Sequence, residues 1–137
     1  MKKQVLILAI SLLLLGAFST FAKETKSNVS TQLTKEAVDN YLAGINSNNL
    51  GLRVSCAYYL GEYKTSEAII PLMKMLNSEK SEGARIMAAL SLVKIGTDKA
   101  VYAVKQAANF DKSERVRNMC EKFYNNFTYA ENGQKDL

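Results

Sequence analysis

Residues Gly83 to Asn109 read GARIMAALSLVKIGTDKAVYAVKQAAN, and the stretch 32 residues earlier, Gly51 to Asn77, reads GLRVSCAYYLGEYKTSEAIIPLMKMLN. In that register Arg85 falls on Arg53, Ile86 on Val54, Ala88 on Cys56, Ala89 on Ala57 and Leu92 on Leu60. The match carries on into the second half of each stretch, where Ala100 meets Ala68, Val101 meets Ile69 and Val104 meets Leu72. Self-similarity at one fixed period of about 20–50 residues marks a stack of repeated supersecondary units, each burying its apolar face on its neighbour.

The flanking sequence extends the pattern in both directions. Thr34 to Asn46, TKEAVDNYLAGIN, matches Thr65 to Asn77 at a spacing of 31, with Glu36 on Glu67, Ala37 on Ala68, Val38 on Ile69 and Ile45 on Leu76. It reads as the second helix of a unit whose first helix is missing. Val38, Leu42 and Ile45 form one helical stripe there, with Tyr41 beside it. Thr34 suits the N-cap, and Glu36 adds favourable charge to the first turn. On the other side, Glu114 to Phe127, ERVRNMCEKFYNNF, places Val116, Met119, Cys120, Phe123 and Phe127 on one stripe. Its opposite face is polar, as an end unit that meets water requires. The tail after Thr128, YAENGQKDL, has no period and predicts a flexible end.

Each of the two full units divides into a helical pair. First helices are expected over Leu52 to Tyr63 and about Glu82 to Ile95, second helices over Glu67 to Leu76 and about Lys99 to Ala108. Lys64 and Thr65 predict a tight turn, with Ser66 as N-cap and Pro71 removing one backbone donor just past the first turn. In the next unit Gly96 suits a left-handed cap, and Asp98 or Thr97 starts the following helix. IMAALSLVKI is apolar almost all round, which demands neighbours on several sides and a place in the middle of the stack. The predicted fold class is all-α, a short α-α superhelix of about six antiparallel helices over residues 34–127.

The 137 residues are 47% hydrophobic with a single proline, which fits one helical domain. Met1 to Ala22 carries Lys2 and Lys3, an apolar run from Val5 to Leu15 and the small residues Thr20 and Ala22, the layout of an export signal. Cleavage is expected after Ala22, giving a periplasmic or secreted protein with no membrane span. Residues 23–33 are too polar to offset their ordering entropy and read as a linker. Without Lys2 and Lys3 the net charge falls from +5 to +3 and is dispersed, which gives no nucleic-acid patch. Asn28 and Asn126 each open a glycosylation-type triplet, of little consequence behind a bacterial-style signal.

Catalysis has little to stand on. The chain has no histidine, hence no Ser–His or Cys–His nucleophile and no imidazole metal site. No Gly-rich phosphate loop follows a strand. Glu36 and Asp39 share a helix face, yet a solvated acidic first turn accounts for them. Cys56 and Cys120 occupy one slot two repeats apart. Helices stacked at about 8–10 Å each put them about 20 Å apart, whereas a disulfide needs about 7 Å or less. Both are expected in the core as small hydrophobes. No cofactor or metal is expected.

Three helix starts read Leu52-Arg53, Ala84-Arg85 and Val116-Arg117, 32 residues apart, each followed by small residues and then Leu or an aromatic. With the echoes AAL…IG…A and AII-P-L, the chain resembles HEAT repeats, specifically the short type first described in phycobilisome lyases. Lys64 stands where that pattern expects a turn glycine, and the third unit has only its first helix. The resemblance implies a right-handed superhelix with first helices on the convex side and second helices on the concave side. It also implies protein binding, with bilin attachment in a minority of members.

Arg53, Arg85 and Arg117 predict a ladder along the stack; one reading has it hold an acidic partner, and the favoured one has each arginine pair with a nearby carboxylate such as Glu62, Glu82 or Glu114 and fix the repeat spacing. Three sets of equivalent positions are expected to face outward from the second helices: Glu36, Glu67 and Lys99; Asp39, Ile70 and Tyr102; Ala43, Lys74 and Gln106. From these, Glu67, Ile70, Lys74, Lys99, Tyr102 and Gln106 form the candidate partner-binding surface, apolar residues rimmed by charge. The expected function is an exported, non-catalytic module that binds a protein or peptide on its concave face. One alternative is a structural envelope protein that self-associates through its repeat ends. A bilin lyase-like enzyme is the remote third.

Overall fold

The computed structural model describes residues 33–135, so the expected export signal over 1–22 and nearly all of the linker over 23–33 lie outside the described residues. Six α-helices follow in order: α1 (Lys35–Gly44), α2 (Leu50–Glu62), α3 (Ile69–Ser78), α4 (Glu82–Ile95), α5 (Asp98–Phe110) and α6 (Glu114–Lys135). A 3-10 turn, Ser66–Ala68, leads into α3. No strand occurs among the described residues.

Side-chain caps set most helix starts. The hydroxyl of Thr34 accepts from the Ala37 N–H, and the Asn49 side chain accepts from the Leu52 N–H, so α2 begins two residues earlier than the apolar pattern predicts. Ser81, Thr97 and Ser113 accept in the same way from Ala84, Ala100 and Val116. Ser66 departs from its expected capping role. Its hydroxyl donates to the Glu67 carboxylate at 3.0 Å, and a 3-10 turn takes the place of the cap. Pro71 is consequently the third residue of α3, where a helix has no internal partner for the N–H, and no hydrogen bond is lost.

Two turns use the left-handed region. Gly96 closes α4 at φ 74°, as expected. Lys64 closes α2 at φ 51°, with the Thr65 N–H donating to the Leu60 carbonyl and the Lys64 N–H to that of Gly61. That pair of bonds is the Schellman arrangement. Lysine thus adopts the backbone normally left to glycine.

The core runs the length of the stack through Ala57, Leu60, Leu72, Leu76, Ala88, Leu92, Val104, Val116 and Cys120. α4 sits at its centre and packs on α2, α3, α5 and α6, which accounts for its all-round apolarity. α2 and α4 approach closely because Gly61 leaves room for Ser91. The Ser91 hydroxyl lies 2.7 Å from the Ala57 carbonyl oxygen and 2.9 Å from that of Met87. Cys56 and Cys120 are buried free thiols. Burial pushes the Cys120 thiol up to about 11, with the Asp111 charge adding to the effect. α6 continues past Phe127 to Lys135, where the sequence predicts a tail without structure. None of the described helices is long and apolar enough to cross a membrane.

Candidate functional site: the arginine ladder and the second-helix grooves

The three arginines each begin a first helix and repeat one geometry. Arg53 donates from Nη1 to the Ser47 carbonyl at 2.8 Å, and Nε and Nη2 donate to Glu79 at 2.6 and 3.1 Å. Arg85 donates from Nη1 to the Glu79 and Lys80 carbonyls, and Nε and Nη2 donate to Asp111 at 2.9 and 3.0 Å. Arg117 donates from Nη1 to the Asp111 carbonyl at 2.7 Å. Each guanidinium therefore binds the carbonyl six residues before it, and the first two bind a carboxylate 26 residues after. Glu79 and Asp111 serve twice, by side chain to one arginine and by carbonyl to the next.

The predicted carboxylates are corrected by this geometry. Glu62 pairs with Lys94 instead, and neither Glu82 nor Glu114 forms an ion pair with its arginine. The reason is direction. The guanidinium of Arg53 or Arg85 lies between the turn before its own helix and the turn after the following second helix, and it ties these two turns together. A planar fork meeting a carboxylate side-on suits this bridge. Arg85 is only 1% exposed. Burial alone would raise the Asp111 carboxyl, but the Arg85 bond, the Ser113 N–H and the Arg85 charge outweigh it and hold the carboxyl below its usual value. The hydrogen bond to Asp111 in turn raises the Arg85 guanidinium.

Beside each closed rung lies a groove between successive second helices. One, of about 270 Å³, is lined by residues including Asn46, Asn48, Arg53, Lys74, Ser78 and Glu79. The other, of about 240 Å³, is lined by Asn77, Arg85, Gln106, Ala107, Phe110, Asp111 and Lys112. Arg53 and Arg85, Lys74 and Gln106, Ser78 and Phe110, and Glu79 and Asp111 are related by the same step of 32. The grooves are one site built twice.

The candidate surface residues are distributed as follows. Lys74 and Gln106 line these two grooves. Tyr102, 61% exposed, lies in a third groove between α5 and α6 with Lys105, Tyr124 and Phe127. Glu67 borders a hollow formed with Leu33, Val38 and Tyr63. Ile70, 58% exposed, and Lys99 stand outside these grooves. The six residues do not converge on one point. Sequence reasoning missed Glu79, Asp111, Asn77 and Phe110. A signal for the two acids was present: Glu79-Lys80-Ser81-Glu82 and Asp111-Lys112-Ser113-Glu114 repeat the same turn.

A family model for HEAT repeats matches residues 35–122. The chain is a HEAT-repeat protein. The match is to HEAT repeats in general and does not single out the phycobilisome-lyase type. No curated protein matches the chain. In HEAT terms, α1 is a second helix with no first helix among the described residues, α2–α3 and α4–α5 are complete repeats, and α6 is a first helix. Among the described residues of this HEAT module no cluster of His, Cys, Asp or Glu has the layout of a metal site.

Proposed function

We propose that this HEAT module works outside the cytoplasm and binds a protein or peptide along the face of its second helices, with no chemistry of its own. The observation that carries the reading is the pair of grooves related by one repeat. A chain laid across α1, α3 and α5 would meet amide and lysine groups in each groove, Asn46, Asn48 and Lys74 in one and Asn77, Gln106 and Lys112 in the other. Adjacent helices stack at about 8–10 Å, close to the length of three extended residues, so one strand of partner spans both grooves. Export rests on the charged, apolar and small-residue layout of 1–22.

Affinity capture from the producing cell's envelope tests the proposal, using the processed form as bait. Lys74→Glu combined with Gln106→Glu is expected to abolish capture of a partner while leaving the melting temperature within a few degrees. Equal capture by both baits would overturn the proposed face.

A second reading, self-association through a repeat end, has one observation in its favour. Ala84 and Ser91 of α4 are buried, whereas the equivalent residues of α2, Leu52 and Tyr59, are 47% and 42% exposed. Tyr59 stacks on Tyr41 at 5.4 Å and stands beside Tyr58, so an aromatic flank remains at the first end of the stack. The opposite end, through Asn118, Glu121 and Asn125 of α6, is exposed and polar. Light scattering over a range of concentrations, with Tyr59→Ser as control, separates this reading from the first.

A further inference from the structure

A closed rung of the ladder has two halves, a carbonyl for Nη1 and a carboxylate for Nε and Nη2. Arg53 and Arg85 have both. Arg117 has the carbonyl half, at 2.7 Å from Asp111, and no ion pair to any described carboxylate. Arg117 is partly exposed near the start of α6, with exposed Glu114 and Glu121 about one helical turn to either side and neither forming an ion pair with it.

We propose that the open fork of Arg117 is a docking point for an aspartate or glutamate of a partner protein, presented in the same kind of turn that closes the first two rungs. The chain itself supplies the template. In both closed rungs the acid stands two residues before the serine that caps the next helix, Glu79 before Ser81 and Asp111 before Ser113. The turn thus delivers a carboxylate to the arginine behind it and a helix to the end of the stack. A bidentate arginine–carboxylate pair supplies both attraction and direction, which a lysine at the same place cannot reproduce.

A second copy of this chain stacked head to tail does not fit. The residue that corresponds to Glu79 and Asp111 at the front of the stack is Ser47, followed by Asn48 and Asn49, so the copy would offer no carboxylate. Its two acidic turns are already engaged by Arg53 and Arg85. The exposed, polar flank of α6 (Asn118, Glu121 and Asn125) likewise suits a partner led by charge more than an apolar seam.

The test uses the full chain with nitrogen-labelled arginine side chains, observed by NMR. The probe is an acetylated peptide of the chain's own turn, Ala107 to Val116, and the control is the same peptide carrying Asp111→Asn. The Nε–H signal of Arg117 is expected to move saturably with the aspartate peptide. Affinity for the asparagine peptide, and for the aspartate peptide with Arg117→Lys protein, is expected to fall about tenfold. The signals of Arg53 and Arg85 stay fixed because their forks are filled. No movement, equal movement with both peptides, or an Arg117 signal already as protected as that of Arg85 would overturn the proposal. So would a doubling of mass in light scattering that Arg117→Ala abolishes, since the occupant would then be a second copy. Because the peptide pair is compared on unaltered protein, the result does not depend on how an Arg117 variant folds.

Discussion

Arg85 and Asp111 meet through two parallel hydrogen bonds, 2.9 and 3.0 Å long, with the side chains only 2% and 7% exposed. The pair joins the first helix of one repeat to the turn that opens the next. Neither charge has water to fall back on, so removing one partner strands the other. Arg85→Ala is expected to destabilise the chain by about 3 kcal/mol, lowering Tm by more than about 10 °C. The Arg53–Glu79 pair is more open, at 19% and 16% exposure, and Arg53→Ala should lower Tm less. Thermal melts of the two variants side by side check the order. A reversed order would mean that burial does not govern the rungs.

Acid should loosen this same rung. Asp111 titrates below its usual value in the folded chain, so its contribution is fully present above the unfolded value of about 3.9 and is lost as pH falls through the folded value. The gap in Tm between the natural chain and Asp111→Asn is therefore expected to be steady from about pH 8 to 5 and to shrink below about pH 4. A gap that persists unchanged into stronger acid would show that the carboxylate charge is not what the rung uses.

Gly61 sets the spacing between α2 and α4. A Cβ built there would lie 2.6 Å from the Ser91 Cα and 2.7 Å from its Cβ. Alanine would gain about 1 kcal/mol of helix propensity, but the clash with backbone of a packed helix costs about 1–3 kcal/mol. Gly61→Ala is expected to lower stability in denaturant titration, and adding Ser91→Gly should restore only part, because the Ser91 Cα remains in the way. Full rescue would locate the strain in the side chain alone.

Lys64 gives the opposite sign. Its φ of 51° is a backbone that glycine adopts freely and that costs other residues about 1–2 kcal/mol. Lys64→Gly should raise stability by about 1 kcal/mol, net of the extra freedom it gives the unfolded chain, and Lys64→Val should lower it. Denaturant midpoints for the pair are the check, and a stabilising valine would contradict the turn geometry.

Which residues build helices, and which helices repeat, was legible in the chain alone. The step of 32 between Arg53 and Arg85 and the stripes of Ala, Leu and Val placed the two full hairpins and both half repeats. The all-round apolarity of Ile86 to Ile95 put α4 at the centre. These are local properties: periodicity and capping depend on residues a turn or two away. Ser66 and Pro71 were misjudged even so, because a 3-10 turn shifted the register of α3 by a few residues. The continuation of α6 to Lys135 was also hidden, since that stretch has no apolar stripe to announce it.

Tertiary structure alone decided which carboxylates Arg53 and Arg85 hold. Glu62 and Glu82 lie nearer in sequence to Arg53 and Arg85 than Glu79 and Asp111 do, 26 residues on, yet folding a whole hairpin between them brings the distant acids into the fork. It also decided that Lys74 and Gln106 border equivalent grooves, and that an aromatic flank is left exposed on α2. Such relations depend on how helices cross and how far side chains reach between them. A linear pattern fixes what each helix must bury, whereas the choice of neighbour is made only when all of them are packed at once.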